Sequence, residues 1–336
     1  MTVRAEEEDR RTSSAARRIR GRRVWVDVLL WVALAPFAVW AALRVSGWEP
    51  VFGWKQLVAF TPYVATVSLV VPLAALSLRR WFVVVVGVLV AGALGVVVVP
   101  RALPDANPAA DGPRVRVLAA NLLAGGVPAK DMADLVRRER PDVLALQEVT
   151  PEAVESLDGA GLRESLPYRV LRPSPGVVGS AVYARFPVRE QPLIKIGFGQ
   201  ARARVDVPGA PPVEVVSVHP CAPSAPDRAG CWKAGLRALP RADGRGPVRI
   251  LAGDFNATAD HAEFRRLTDS GYRDAADVTG GGLRPTWPAG WRGRVPPVTL
   301  DHVLADARAA VRGFEIHRLP GTDHRPVQAD LTLPRG

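Results

Sequence analysis

Eight polar residues stand at or beside the ends of short apolar runs in the chain beyond residue 113. They are Asn121, Glu148, His219, Asp254, Asn256, Asp301, Asp323 and His324. Carboxylate and amide oxygens are ligands that hard divalent cations such as Mg²⁺ prefer, and a histidine held by a carboxylate can hold or move a proton. Each residue alone has an ordinary structural explanation, but together they could carry out metal-assisted hydrolysis.

The elements that would position these residues are short strands. The segments VRVLAANLL, DMADLVRRER and DVLALQEV predict a β-α-β unit at the start of this region. Because many short strands with few crossover helices favour two packed sheets, we predict an α+β sandwich. The carboxyl end of a strand delivers its side chain to the rim of the sheet, where active sites collect. Further strands are predicted at 178–184, 202–207, 213–218, 248–252, 299–304 and 326–332, and helices at 227–239 and 260–269.

The order of these signals resembles the endonuclease/exonuclease/phosphatase superfamily. From Arg114 to about Leu333 the chain has a strand-end Asn, then Gln-Glu, His-Pro, Gly-Asp-Phe-Asn, Leu-Asp-His and Asp-His-Arg-Pro. GSAVYARFPV at 179–188, GDFNATADHAEFRRL at 253–267 and TWP at 286–288 also match the pattern. The resemblance implies a four-layered α/β-sandwich of the DNase I-like type, a divalent cation, usually Mg²⁺ or else Mn²⁺, and hydrolysis of a phosphate ester.

Under this resemblance, three residues would hold the metal. Glu148 would be the principal ligand, and Asn121 and Asp323 would lie in or beside its coordination shell. Few carboxylates are expected because Mg²⁺ keeps several of its waters. The metal would neutralise charge on the phosphoryl oxygens.

Five residues would carry the acid–base and phosphate-binding work. His324, oriented by Asp301, would act as general base for the attacking water or as a ligand of the phosphate, and Asp254 could equally orient that water. Asn256 and His219 would donate hydrogen bonds to the phosphate or the leaving group.

The other histidines receive no catalytic role. In a strand, the side chain of His302 points away from that of Asp301, so we expect it to pack on the other face of the sheet. His261 is interpreted as a helix-start residue and His317 as a surface strand residue.

The loop at 283–297 is the candidate for substrate recognition. Trp287 is expected to pack under the site, and Trp291, Arg292 and Arg294 combine an amphipathic ring with two cations suited to lipid headgroups or a diphosphate. An ordinary folded loop would explain these residues almost as well.

Three long apolar runs precede the catalytic region: Val24 to Leu43, Leu57 to Leu78 and Trp81 to Val99. Crossing a bilayer takes about 20 apolar residues, so each run predicts a transmembrane helix. Seven arginines and no acid lie between Arg10 and Arg23, which predicts a cytoplasmic amino terminus and an extracytoplasmic region after Val99. The predicted domains are a basic tail at 1–23, a membrane anchor at 24–99, a Pro/Ala-rich linker at 100–113 and a catalytic domain at 114–336.

The two cysteines, Cys221 and Cys231, lie ten residues apart in one predicted loop. Outside the cytoplasm such a pair is expected to form a disulfide. A metal site there has less support, since His219 is the only further ligand nearby.

Charge and architecture leave three functions open. The net charge is +11, but 40 of the 44 basic residues are arginine and they are scattered, so the charge does not by itself indicate nucleic-acid binding. The favoured function is hydrolysis of a lipid-linked phosphate or pyrophosphate at the outer membrane face. The alternatives are an extracellular membrane-tethered nuclease and a non-catalytic binding domain; the latter is disfavoured because every catalytic position holds a competent residue.

The overall plan is similar to that of the actinobacterial VanJ-type proteins, which are associated with resistance to teicoplanin-like glycopeptide antibiotics. Both combine three predicted spans with an exported catalytic domain. This likeness implies a lipid carrier of cell-wall synthesis as the substrate.

Overall fold

The computed structural model describes residues 2–290 and 295–336, with side chains from residue 24 onward. The chain forms two compact units. We call the first, which comprises the residues up to Trp48 and Thr61–Val98, the helical unit. The second comprises Glu49–Phe60 and Val99–Gly336, and we call it the sandwich unit. The sandwich unit is therefore discontinuous in sequence.

Three stretches of helix are long and apolar enough to cross a membrane: Val24–Ser46, Phe52–Ser77 and Trp81–Ala102. Large apolar side chains point outward from them, with Trp25, Phe82 and Val96 exposed by 69%, 74% and 76%. In water such exposure would be unfavourable, so these surfaces indicate membrane association. The helices are α1 (Thr2–Ser46), α2 (Phe52–Leu57), α3 (Thr61–Ser68), α4 (Val70–Ser77) and α5 (Trp81–Val98), of which α2 belongs to the sandwich unit.

The helical unit has a small buried core, in which Leu30 and Leu34 of α1 pack with Val71 and Ala75 of α4 and with Val83 of α5. The one acidic residue of the first apolar run, Asp27, forms an ion pair of 3.2 Å with Arg80.

The sandwich unit consists of two six-stranded sheets and a short hairpin. The first sheet, in the order β13-β14-β1-β2-β4-β3, contains β1 (Arg114–Asn121), β2 (Val143–Gln147), β3 (Tyr168–Arg172), β4 (Ser180–Ala184), β13 (Ala310–Ile316) and β14 (Val327–Thr332). The second, in the order β11-β12-β10-β9-β8-β5, contains β5 (Val188–Glu190), β8 (Arg202–Val205), β9 (Val213–Val218), β10 (Val248–Asp254), β11 (Tyr272–Asp274) and β12 (Asp301–Asp306). The hairpin joins β6 (Ile194–Ile196) to β7 (Phe198–Gln200).

Helices cover the outer faces of both sheets. The inner faces pack through a layer made mostly of Val and Ala, whose small and β-branched side chains suit close sheet-on-sheet packing. The result is the predicted four-layered α+β sandwich. The helices α6 (Ala129–Glu139), α7 (Pro151–Gly159) and α8 (Leu162–Ser165) pack on the first sheet, α9 (Pro226–Arg237) and α10 (Ala262–Thr268) pack on the second, and α11 (Ala275–Val278) follows β11.

The sheet register brings the polar strand ends to one edge. In the first sheet β1 and β2 are parallel, and in the second β9 and β10 are parallel, so each pair ends on the same side. β12 runs antiparallel to β10, and its first residue, Asp301, is therefore opposite Asp254, the last residue of β10. The turn before β14 brings Asp323 and His324 to this edge, because β14 runs antiparallel to β1.

Two regions differ from the sequence expectations. Cys221 lies in a loop, but Cys231 lies on α9 and not in the same loop. The segment predicted to be a linker begins in a 3₁₀ helix, Val99–Ala102, where neither helix nor strand was expected. Its Arg101 is buried and makes two hydrogen bonds, of 2.8 and 2.6 Å, with the carboxylate of Asp260.

Candidate active site

A cavity of about 570 Å³ opens at the sheet edge where the polar strand ends meet. This volume is typical of pockets for small molecules. Its walls combine charged and apolar side chains. Of the predicted site residues, it is lined by Glu148, His219, Asp254, Asn256, Asp323 and His324.

Two carboxylates share one amide donor at the bottom of the site. The Nδ2 of Asn121 donates to Glu148 Oε1 at 3.1 Å and to Asp254 Oδ2 at 3.2 Å, while its Oδ1 accepts from Leu123 N at 2.9 Å. The backbone N–H of Ala124 donates to Glu148 Oε2 at 2.7 Å. In this orientation Asn121 holds the two carboxylates with its nitrogen, and its place in or beside a metal shell stays a prediction.

Glu148 is in an unusual backbone and electrostatic environment. It directly follows β2 with a φ of +59°, a left-handed conformation that is costly for a non-glycine residue and is often found at functional sites. Burial is the main cause that raises the pKa of its carboxyl group, and the nearby Asp254 carboxylate adds to it. A bound cation would relieve both effects.

His324 is held by Asp301 and faces Asp254. Its Nδ1 lies 3.0 and 3.2 Å from the two Asp301 oxygens, and its Nε2 lies 3.5 Å from Asp254 Oδ2. Burial would lower the pKa of His324, but the charges of Asp301 and Asp254, the hydrogen bond to Asp301 and the charge of Asp323 together raise the pKa to about 10. The imidazole is therefore protonated at neutral pH.

His219 faces the same carboxylates in the opposite protonation state. Its Nε2 lies 3.6 Å from Asp254 Oδ2 and 3.7 Å from Glu148 Oε1. Complete burial lowers its pKa to about 4, so the ring is neutral. Phe198 packs against it with ring centroids 4.8 Å apart. The site thus contains one charged and one neutral imidazole. Their different surroundings separate the pKa values of two groups of the same type.

Asn256 contacts Asp254 through its backbone. Its N–H donates to Asp254 Oδ1 at 2.8 Å, and its Nδ2 donates to the Pro220 carbonyl at 3.2 Å. Its left-handed backbone, with a φ of +48°, is one that asparagine tolerates better than most residues. Of the two amide hydrogens on Nδ2, one is used by Pro220, so the other can serve a ligand in the cavity.

Asp323 has one carboxylate oxygen that suits a cation. Its Oδ2 accepts a hydrogen bond of 2.9 Å from Trp287 Nε1, and Trp287, which was expected to pack under the site, lines the cavity. Its Oδ1 is buried and, among the residues that the structure describes, has no hydrogen-bond donor. A buried carboxylate oxygen without a hydrogen-bond donor is unfavourable, and the nearest cationic group that the structure describes is His324 Nε2 at 3.9 Å. Glu148 and Asp254 line the same cavity, and carboxylate oxygens of this kind suit a hard divalent cation.

One arrangement of candidate ligand atoms in the site is compact. One atom each from Asp254, Asp301 and His324 lies within 4.8 Å of the others. Within this cluster, Nδ1 of His324 is already bonded to Asp301.

The cysteines form a disulfide that supports one wall of the cavity. Cys221 and Cys231 are bonded, with their Cα atoms 5.8 Å apart. Gly197, at the turn between β6 and β7, lies directly on this bridge, because a Cβ there would come within 2.3 Å of both sulfur atoms. The next residue, Phe198, lines the cavity.

The segment Glu49–Phe60 is a part of the cavity wall that the sequence did not reveal. Lys55, Gln56, Ala59 and Phe60 line the cavity, as does Arg228 of α9. The sequence signal was ambiguous, because the end of this segment has the apolar composition of a membrane span. The predicted recognition residues Trp291, Arg292 and Arg294 lie outside the described residues.

The three remaining histidines are buried or half-buried. His302 packs as predicted on the other face of the sheet, where its Nδ1 lies 2.6 Å from Asp274 Oδ2. His261 stands at the N-cap of α10, but it also lines the cavity, which its interpretation as a simple helix-start residue missed. His317 follows β13 and lies 3.7 Å from Glu139.

Comparisons with known proteins agree with this architecture. The sequence profile of the Endonuclease/Exonuclease/phosphatase family matches residues 118–324. Among solved structures, the chain is similar to an endonuclease/exonuclease/phosphatase from Beutenbergia cavernae, with 19% identity, a TM-score of 0.52 and coverage of 66% of this chain and 72% of that one.

Two further structures share the fold. TDP2 from C. elegans has 18% identity and a TM-score of 0.52, with 67% of this chain and 77% of that chain covered. Humanized D. rerio TDP2 has 15% identity and a TM-score of 0.51, with 65% and 98% covered. The comparison with curated proteins gives no match.

Proposed function

Because the chain belongs to the endonuclease/exonuclease/phosphatase family, we propose that it is a membrane-anchored, divalent-metal-dependent phosphoesterase that acts on a lipid-linked phosphate or pyrophosphate. The observation that carries the proposal is the cavity itself. Its carboxylates and imidazoles suit phosphoester hydrolysis, while Ala59, Phe60 and Phe198 supply apolar walls beside them. An apolar wall suits the lipid part of such a substrate better than a nucleic-acid backbone.

We assign the metal to the oxygen ligands of the cavity. Glu148, with Asp323, would hold the ion, and Asn121 would lie in or beside its shell and keep Glu148 and Asp254 in position through its Nδ2. When bound, the ion, Mg²⁺ or Mn²⁺, would neutralise charge on the phosphoryl oxygens and stabilise the leaving group.

The acid–base roles follow from the protonation states. Since the raised pKa keeps His324 protonated, we assign it to binding a phosphoryl oxygen with its Nε2–H. Burial, with a contribution from Asp301, raises the pKa of Asp254 as well, which makes it a better acceptor for the proton of the attacking water. Neutral His219 donates or accepts a hydrogen bond without adding charge, and Asn256 has an amide hydrogen for the phosphate.

The proposed location is the extracytoplasmic face of the cell membrane, with the amino terminus in the cytoplasm. The basic region before residue 24 and the three candidate spans support this topology. The same plan underlies the likeness to VanJ-type proteins, so we extend the proposal to a lipid carrier of cell-wall synthesis and to a role in glycopeptide-antibiotic resistance.

The test is an assay of the full-length protein, solubilised in detergent, with Mg²⁺. Undecaprenyl pyrophosphate, phospholipids and DNA are compared as substrates, and Glu148→Gln serves as the inactive control. We expect phosphate release from the lipid pyrophosphate that Glu148→Gln abolishes. Nicking of DNA without phosphate release from any lipid would refute the lipid substrate and identify a tethered nuclease.

A further inference from the structure

Two cations line the active-site cavity without an acidic partner. Lys55 belongs to the segment Glu49–Phe60 and Arg228 to the first turns of α9. Among the side chains that the structure describes, neither has a carboxylate within ion-pair distance, whereas Lys130 pairs with Asp134 and Lys233 with Glu263. Cations left unpaired in a cavity are available to bind an anionic ligand.

The backbone around Lys55 is fixed to the sandwich unit. Its carbonyl oxygen lies 2.7 Å from His261 Nε2, and the next side chain, Gln56, donates from Nε2 to the Pro223 carbonyl. Glu49 begins the segment with a carboxylate that accepts a 2.8 Å hydrogen bond from Ala262 N at the start of α10. The position of Lys55 is therefore a property of the folded cavity and does not depend on a free loop.

Lys55 and Arg228 are positively charged, whereas the residues proposed to hold the metal are carboxylates. Glu148, Asp254 and Asp323 suit a metal and the phosphoryl group that is attacked, and none of them has an ion pair with Lys55 or Arg228. A second anionic group on the substrate would meet Lys55 and Arg228. The apolar side chains of Ala59 and Phe60, which follow Lys55 in the chain, line the same wall.

We propose that Lys55 and Arg228 form a second anion subsite and that the substrate is a lipid diphosphate, with one phosphate at the metal ligands and the other at this subsite. The proposal rests on the phosphoesterase function proposed above and specifies its substrate class. Lys55 and Arg228 are specificity residues that contact the phosphate that is not attacked.

The kinetic test compares a prenyl diphosphate with the monophosphate of the same prenyl chain. Lys55→Gln removes the charge and keeps much of the side-chain length, Lys55→Arg restores the charge, and Arg228→Gln removes the second cation. Lys195→Gln is the matched control, because Lys195 is exposed on β6 and does not line the cavity.

We expect Lys55→Gln and Arg228→Gln each to lower kcat/KM for the diphosphate about tenfold, the loss that one charge-assisted hydrogen bond gives. Both substitutions should change kcat/KM for the monophosphate less than about twofold, because this substrate makes no contact with Lys55 or Arg228. Lys55→Arg and Lys195→Gln should behave like the wild-type protein. An equal loss with both lipids would show a structural role, and no loss with the diphosphate would exclude the subsite.

A binding measurement separates this proposal from the phosphoesterase function. Methylenediphosphonate, which cannot be hydrolysed, is titrated into the full-length protein with Mg²⁺ present, and its affinity is compared with that of methylphosphonate. Weaker binding of the diphosphonate alone to Lys55→Gln supports the subsite even if no lipid is hydrolysed. Unchanged binding overturns the subsite even if lipid phosphates are cleaved. Binding and cleavage of DNA that depend on Lys55 would assign these cations to a nucleic-acid backbone and overturn the lipid diphosphate.

Discussion

Asp254 is the carboxylate on which most polar contacts of the cavity converge. It accepts hydrogen bonds from Asn121 and from the backbone of Asn256, and the Nε2 atoms of His219 and His324 lie 3.6 and 3.5 Å from it. Burial of a carboxylate costs free energy of folding even when hydrogen-bond donors surround it. This placement is understandable if the carboxylate takes part in the reaction.

Asp254→Asn and His324→Gln are predicted to abolish turnover while the protein stays folded. Loss of a proton acceptor or of a phosphate-binding imidazolium typically costs about 10² to 10⁴ in rate. Turnover is measured with the lipid pyrophosphate, and the thermal unfolding midpoint monitors folding. A rate near that of the wild type in either variant would show that the roles are wrongly assigned.

The pH dependence of the reaction should report the state of His324. If activity needs the imidazolium, activity is present below the pKa of His324 and is lost as the pH rises through it. Asp301 is the first of the charges that raise this pKa to about 10. In Asp301→Asn the alkaline loss of kcat/KM should therefore move to lower pH, by about one unit or more.

Asp330→Asn provides the control for this shift, because Asp330 is on β14 and does not line the cavity. Its pH profile should match that of the wild type. A shift of the Asp301→Asn profile to higher pH, or no shift, would contradict the assignment of His324.

At the scale of elements, the 3₁₀ helix Val99–Ala102 is held within the sandwich unit by a buried ion pair. The side chain of Arg101 is 9% exposed and that of Asp260 is 0% exposed, and the two groups make paired hydrogen bonds. Breaking such a pair leaves an uncompensated buried charge.

Arg101→Gln is expected to lower the free energy of unfolding by about 3 to 5 kcal/mol. The matched control is Asp330→Asn, which breaks the pair with Arg116 at side chains 41% and 38% exposed, and which should cost at most about 1 kcal/mol. Both are measured by chemical denaturation of the full-length protein. Equal effects would show that burial does not distinguish the two pairs.

The strands that carry the site could be predicted from the sequence because each is a short apolar run with a polar residue at or beside one end. β13 was not predicted, since Arg312 and Gly313 interrupt its alternation where the register shifts at a bulge. β11 has three residues, Tyr272–Asp274, too few for a periodic pattern. The polar strand ends could be grouped into one site because neighbouring parallel strands end at the same edge of a sheet. That rule requires no knowledge of side-chain positions.

The contribution of Glu49–Phe60 could not be predicted for a different reason. It depends on hydrogen bonds between residues far apart in sequence, such as that from His261 to the carbonyl of Lys55, 206 residues away. Nothing in the local pattern FGWKQLVAF distinguishes a cavity wall from the start of a membrane helix. Likewise, the protonation of His324 follows from three carboxylates that only the fold assembles around it.

At the scale of the whole molecule, the cysteines give a simple test of compartment. The chain has two cysteines, and both are in the disulfide. The native protein should therefore react with no alkylating agent and should gain the mass of two hydrogens on reduction. Two alkylatable thiols in the native protein would contradict both the bridge and an extracytoplasmic sandwich unit.

Topology can be tested separately in a Cys221→Ser/Cys231→Ser background. A cysteine introduced at Arg189, which is exposed on β5, should react with a membrane-impermeant maleimide in intact cells. One introduced at Ser13, in the basic amino-terminal region, should react only after the cells are opened. The reverse pattern would place the catalytic face in the cytoplasm.

The discontinuity of the sandwich unit has a consequence for proteolysis. A cut after Val98 would release residues 99–336 with all eight polar strand-end residues, but it would leave Glu49–Phe60 behind. The shed fragment would lack Lys55, Phe60 and the wall they form. Shedding would therefore remove one wall of the cavity together with the anchor, and we expect the diffusible fragment to be less active on a lipid diphosphate than the full-length protein.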